Sequence, residues 1–161
     1  MCPIKNGTRA VRVLAASFVC AATITTLGSP VAFAVDTITS KDAPDLTSVR
    51  AKIIAKDYQA ALVELRTVAD THQHADVYSL MGFSLRKTGD FSTALTYYKK
   101  ALDFDANHKG AREYLGELYV ETGDLSKARE QLAVLEKLCP QSCEEREDLE
   151  KALASAPPKT N

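Results

Sequence analysis

The chain has 161 residues, with 20 Lys plus Arg against 21 Asp plus Glu, a net charge of −1, and 45% hydrophobic residues. That length suits one domain with an apolar core of its own. The near-neutral charge lacks the basic excess that nucleic-acid binding demands, so no nucleic-acid partner is expected.

The N-terminus carries Lys5, Arg9 and Arg12, then an apolar run over 13–27, then Gly28, Pro30 and Ala32-Phe33-Ala34. Basic segment, apolar core and A-x-A site in that order predict a secretory signal peptide over 1–34. Cleavage after Ala34 leaves a mature chain with 17 Lys plus Arg against 21 Asp plus Glu, net −4. An exported, periplasmic protein is therefore expected. An uncleaved membrane anchor is the alternative, because no charge falls between Val13 and Val35, but Gly28, Pro30 and the A-x-A site favour cleavage. Ser17, Phe18 and Val19 before Cys20 do not make a lipidation site. Of the four cysteines, Cys2 and Cys20 leave with the leader, so Cys139 and Cys143 are the only mature thiols in an oxidising compartment.

After a flexible segment at 35–44, apolar periodicity and start and stop signals predict helices over 45–55, 58–71, 75–88, 91–104, 109–121, 125–138 and 143–154. The tail 155–161, with Pro157 and Pro158, is expected to be disordered. Glycines at 89 and 123 sit where a helix ends in a left-handed residue, and Asp90 and Asp124 can then cap the next helix. The last helix holds Glu144, Glu145, Arg146, Glu147, Asp148, Glu150 and Lys151 around Leu149 and Leu153. It is predicted to be a solubilising cap.

Setting the chain against itself at an offset of 34 residues aligns Thr88-Gly89-Asp90 with Thr122-Gly123-Asp124, Gly82 with Gly116, Ser92 with Ser126, and Ala94 with Ala128. A degenerate earlier copy, Lys56-Asp57-Tyr58-Gln59-Ala60-Ala61-Leu62, is displaced by one residue. A helical period of 34 resembles the tetratricopeptide repeat. The resemblance covers Asp42 to Ser142. Tyr78, Met81, Gly82, Leu85, Gly89, Phe91, Ala94, Tyr98 and Ala101 fall on the family's packing positions. So do Leu115, Gly116, Tyr119, Gly123, Leu125, Ala128, Leu132 and Pro140 one repeat later. The sequence departs from the family at Leu135, usually alanine, and at Ala106, usually proline. The family implies an all-α, right-handed superhelical solenoid of about three helix hairpins, here closed by a capping helix. Within it, Gly82 and Gly116 are expected to meet Ala94 and Ala128, with Tyr98, Leu132, Phe91 and Leu125 filling the space between layers.

Few residues invite a chemical reading. Cys139-Pro140-Gln141-Ser142-Cys143 lacks the C-x-x-C spacing and the βαβ context of a thiol oxidoreductase. Ser142 and Glu145 form an S-x-x-E capping box, so a disulfide there would pin the cap to the preceding helix. Thiol exchange or metal handling by this pair is the alternative, opposed by Glu144 and Glu145, which disfavour a thiolate, and by the shortage of ligands. His72, His74 and His108 lie in junction loops that usually face water; a shared metal would need two or three of them to converge. No Gly-rich phosphate loop, nucleophile elbow, H-E-x-x-H or EF-hand loop occurs. No cofactor, no metal and no catalytic residues are expected.

The family resemblance implies that the first helices of successive hairpins line a concave groove. It assigns Ser79, Leu80, Phe83, Arg86 and Lys87 to that groove from one repeat, and Glu113, Tyr114, Glu117, Val120 and Glu121 from the next. Phe83 and Tyr114 read as aromatic anchors that stacking does not require, and the glutamates as an acidic end. The expected function is non-enzymatic binding of a protein or peptide of apolar and basic character. Asparagine and basic residues that would clamp a carboxylate are replaced by Leu80 and Phe83, so acidic C-termini do not fit. Self-association through a weakly capped edge near Ile53 and Ile54 is a further alternative.

Overall fold

The computed structural model describes residues 43–156; the leader read at 1–34, most of the flexible segment and the end of the tail lie outside the described residues. Among the described residues seven helices follow one another: α1 (Thr47–Ile54), α2 (Tyr58–Thr71), α3 (Ala75–Lys87), α4 (Phe91–Phe104), α5 (Lys109–Glu121), α6 (Leu125–Leu138) and α7 (Glu144–Ala154). They pair as hairpins α1/α2, α3/α4 and α5/α6, and α7 packs on both α5 and α6. This is an all-α repeat solenoid.

Each hairpin turn is made in the same way. In the second, the Asp90 N–H donates to the Leu85 carbonyl and the Gly89 N–H to the Arg86 carbonyl, both at 3.0 Å. Gly89 takes φ +88°, and the Asp90 carboxylate accepts from the Thr93 N–H at 3.1 Å. The third repeats it with Gly123 at φ +80° and the Asp124 carboxylate on the Lys127 N–H. These pairs of backbone bonds satisfy the last free carbonyls of one helix while the aspartate satisfies the first free amides of the next. In the first hairpin Asp57 caps α2 through the Ala60 N–H, and the residue forced to positive φ is Lys56, at +61°.

The core runs through every hairpin. Val49, Leu62 and Leu65 are buried in the first, Val77, Met81, Ala94, Tyr98 and Ala101 in the second, and Ala111, Leu115, Ala128 and Leu135 in the third, with Leu149 from α7. Two expected partners are different. A Cβ built on Gly82 would lie 2.6 Å from the ring of Tyr98, and one on Gly116 would lie 2.5 Å from Leu149, so neither glycine has an alanine as its nearest neighbour. Phe91, expected between layers, is 37% exposed because it opens α4 at the rim of the turn. The capping box is also absent. Cys143 is the N-cap of α7 with no side-chain cap bond, and the Ser142 hydroxyl donates instead to Glu147 at 2.5 Å.

Candidate functional site: the groove of the first helices

Helices α3, α5 and α7 are neighbours in turn. The residues they expose on that side, with Arg50, Ile53 and Ile54 of α1, line two adjoining hollows. The first is an open polar pocket of about 510 Å³ whose walls include Asp76, Asp105, His108, Glu113, Glu145 and Asp148. The second is a smaller, mainly apolar cleft of about 190 Å³ lined by Arg50, Ile53, Ile54, Leu80, Phe83 and Tyr114. Arg50, Leu80 and Tyr114 belong to both, which makes one groove with an acidic floor and an apolar end.

The structure brings the residues read from the sequence onto this face, but not at the depth expected. Ser79, Leu80, Arg86 and Glu113 are buried, Phe83, Tyr114, Glu117 and Val120 are half-buried, and Lys87 and Glu121 are exposed. Phe83 and Tyr114 are part of the packing: their ring centroids lie 4.8 Å apart, Tyr58 meets Phe83 at 6.3 Å, and Tyr98 meets Tyr114 at 6.3 Å. A ladder of edge-on and tilted rings of this kind contributes its own stability. They therefore cannot serve as anchors that stacking leaves free.

Arg86 departs most from expectation. Only 3% exposed, it donates to Glu117 and, at 2.6 Å, to Glu121, with its guanidinium 5.5 Å from the Phe83 ring. Burial opposes its charge, but Tyr98, Glu117 and Glu121 outweigh that and hold its pKa above the ordinary arginine range. Two of the three glutamates read as an acidic end are thus neutralised by a clamp between α3 and α5. Removing one partner from a buried ion pair is costly, so these groups serve the fold before any ligand.

Glu113 is different. It is 8% exposed and lines the polar pocket. Burial, then the neighbouring Glu117, Asp148 and Glu145, push its carboxyl up to about 8, against partial relief from Arg86. Burial and Glu113 likewise raise the Tyr114 phenol to about 12. At neutral pH Glu113 is therefore mostly uncharged, which sets it apart from the other glutamates of the acidic end.

Two of the three histidines, His74 and His108, cap helices. The His108 Nδ1 accepts from the Ala111 N–H at 2.9 Å and its Nε2 lies 3.0 Å from Asp76, while the His74 Nδ1 accepts from the Asp76 N–H at 3.2 Å. An Nδ1 that accepts leaves the proton on Nε2, so His108 caps α5 and donates to α3. That bond holds the Asp76 carboxyl below its usual range. His74 and His108 stand 34 residues apart, in equivalent places of successive repeats; their use as N-caps was missed, because histidine is not among the common capping residues.

Cys139 and Cys143 stand with Cα atoms 5.9 Å apart, inside the span a disulfide bridges. The Glu145 carboxylate is within 4.8 Å of both sulfurs. Among the described residues, no helix is long and apolar enough to cross a membrane.

Residues 85–153 match the family model of the tetratricopeptide repeat. Among solved structures, the chain is similar to the type III secretion translocator chaperone SycD of Yersinia enterocolitica, with a TM-score of 0.59 at 15% identity over 71% of this chain and 90% of that one. No curated protein sequence matches. With the 34-residue register, the repeated turn and the family match in agreement, residues 85–153 are tetratricopeptide repeat, set in a solenoid of like hairpins.

Proposed function

We propose that this protein is a non-enzymatic interaction scaffold of the bacterial cell envelope that takes a segment of a partner protein in the groove of its first helices. The observation that carries this reading is the juxtaposition of the apolar cleft with the acidic pocket. An apolar side chain of the partner fills the cleft, and basic residues beside it lie over the acidic floor. Such charge complementarity steers encounter, while the buried apolar group supplies most of the affinity. Export through the leader and pairing of Cys139 with Cys143 complete the proposal; the mature chain then begins at Val35, and the disulfide ties α7 to the end of α6.

A photo-crosslinker tests the groove. Placed at Ile54 or Lys87, it should capture one and the same protein, and placed at Val63, exposed on α2, it should not. Capture from Val63 alone moves the binding face to the second helices. Full alkylation of both thiols in freshly exported protein, without reduction, refutes the disulfide and favours the thiol or metal reading, for which Glu145 offers a third ligand atom. Self-association keeps one observation in its favour, Ile54 at 82% exposure, and a dimer mass in light scattering that reverts in Ile54→Glu would support it.

A further inference from the structure

Glu113 is a buried carboxyl that the fold leaves without a partner. The other buried charged side chain, Arg86 on α3, has two glutamates, although its Nε finds no acceptor. Among the described residues no donor or cation bonds to the Glu113 carboxyl, although it is more than nine-tenths buried and lines the pocket wall. The residue is buried, but its carboxyl oxygens are not sealed off: they face the open pocket, where solvent alone meets them. A largely desolvated carboxyl at the wall of an open pocket is placed to bond a donor that arrives from outside.

The surroundings define that group. Glu117 on the same helix and Glu145 and Asp148 on α7 act on Glu113 with one sign, and Arg86 on α3 opposes them while held by Glu117 and Glu121. Asp76 and His108, also on the pocket wall, are bonded to each other, and Lys109 pairs with Glu145 at 3.8 Å. The residual field at the floor is negative and the pocket is open to solvent. At about 510 Å³ it is far larger than a metal ion needs, and it runs into the apolar cleft. We propose that Glu113 anchors a cation subsite in the groove, taking the guanidinium or ammonium group of a basic side chain from a bound protein segment.

This rests on the groove reading above and specifies it: the basic residue lies beside the apolar one that fills the cleft. A guanidinium suits the position best, since it can bond a carboxylate through two N–H groups. Entry of the cation favours the ionised form of Glu113, so binding at neutral pH releases a proton from a carboxyl that burial holds neutral in the empty groove. Segment binding is thereby linked to pH, tightening as the pH rises toward the carboxyl's own titration.

The probe is acetyl-Phe-Arg-amide, compared with the citrulline counterpart, in which a neutral urea replaces the guanidinium at nearly the same shape. Carboxyl NMR of the mature protein reads Glu113, and a binding isotherm reads affinity from pH 6 to 9. The arginine peptide should move the Glu113 signal to its ionised position at pH 7. Its affinity should rise by about tenfold per pH unit well below the titration point and level off above it. Citrulline should bind at least about tenfold more weakly, without that slope. Glu113→Gln should bring the arginine peptide to the citrulline level, and the part of the slope that it abolishes is what belongs to Glu113 rather than His108 or Asp76.

Equal binding of the two peptides overturns the subsite, as does wild-type affinity in Glu113→Gln, or a Glu113 signal that neither peptide moves. A Glu113 signal moved to the same extent by calcium chloride overturns it in favour of a metal. Failure of the groove itself is read separately. If the crosslinkers at Ile54 and Lys87 capture nothing while Val63 does, the groove reading falls. If they capture the partner and the peptides do not discriminate, the groove stands and only the cation subsite is lost.

Discussion

The second and third repeats carry the same residues at their closest approach and use them differently. Gly82 and Gly116 are one period apart, yet the first accepts the ring of Tyr98 from its own hairpin and the second accepts the branched end of Leu149 from the cap. One period after Tyr98 stands Leu132, smaller and only half-buried, and one period after Ala101 stands Leu135, larger and fully buried. The interior hairpin closes on itself with one large ring. The terminal hairpin redistributes that bulk and borrows a side chain from α7. A repeat position therefore specifies a space to be filled and not the residue that fills it.

The largest expected effect breaks the comparison at its borrowed part. Leu149→Ala removes the side chain that fills the Gly116 site, at a cost of about 2–5 kcal/mol for a buried leucine. Hydrogen exchange should quicken in α7 and α5 well before α3 and α4. Exchange that quickens evenly through all the hairpins would show that the cap is no more a part of the third repeat than of the others.

A smaller effect separates the two glycines. Gly82→Ala drives a methyl into a fully buried ring held on all sides, and overpacking of this kind costs about 1–3 kcal/mol, partly offset by the helix preference of alanine. Gly116→Ala meets a leucine on a terminal helix that can shift, so its thermal midpoint should fall less. In a Leu149→Ala background the obstructing atoms are gone, and Gly116→Ala should become neutral or stabilising, a coupling that a thermodynamic cycle measures directly. Equal costs in both backgrounds would remove Leu149 as the partner.

These contrasts mark how far the sequence could be read. Helix positions and turns were legible because they depend on neighbours within a few residues: the structure's helices start and end within two residues of the predicted ones, and Gly89, Asp90, Gly123 and Asp124 do what their order implies. The groove face was legible because a helical period fixes which side a residue is on. Depth was not. Whether Arg86 reaches solvent depends on Glu117 and Glu121 a full repeat away, and whether Glu113 is charged depends on how far α7 covers it. No spacing along the chain encodes those distances.

The groove position one period before Glu113 is Ser79, so a buried hydroxyl and a buried carboxyl occupy equivalent places. Glu113 has a folded pKa of about 8 against an ordinary 4.5. The folded state binds this proton more tightly than the unfolded state, so the contribution of Glu113 to stability is greatest at acid pH, falls between pH 4.5 and 8, and is level above. Glu113→Gln should abolish that part of the pH dependence and stabilise the protein by about 1–2 kcal/mol at pH 8. Ser79→Ala should alter stability without changing its slope with pH. Chemical denaturation at pH 5 and pH 8 distinguishes the two. An unchanged slope in Glu113→Gln would assign the carboxyl an ordinary titration.

The smallest effect tests whether the first hairpin obeys the rule of the other two. Lys56 occupies the left-handed position that Gly89 and Gly123 hold, completing the same pair of backbone bonds, from the Asp57 N–H to the Lys52 carbonyl and from the Lys56 N–H to the Ile53 carbonyl, both at 2.9 Å. For a residue with a Cβ this conformation costs about 1 kcal/mol or more. Glycine removes that strain but makes the unfolded chain more flexible, which takes back part of the gain. Lys56→Gly should therefore stabilise by about 0.5–1 kcal/mol, read as a small rise in the thermal midpoint with unchanged helix content. Lys56 is exposed and makes no ion pair among the described residues, so no charge contact is lost to mask the result. A fall in the midpoint would mean that the turn is held open by contacts of the lysine itself, and that the first hairpin departs from the repeat in more than the displacement of one residue.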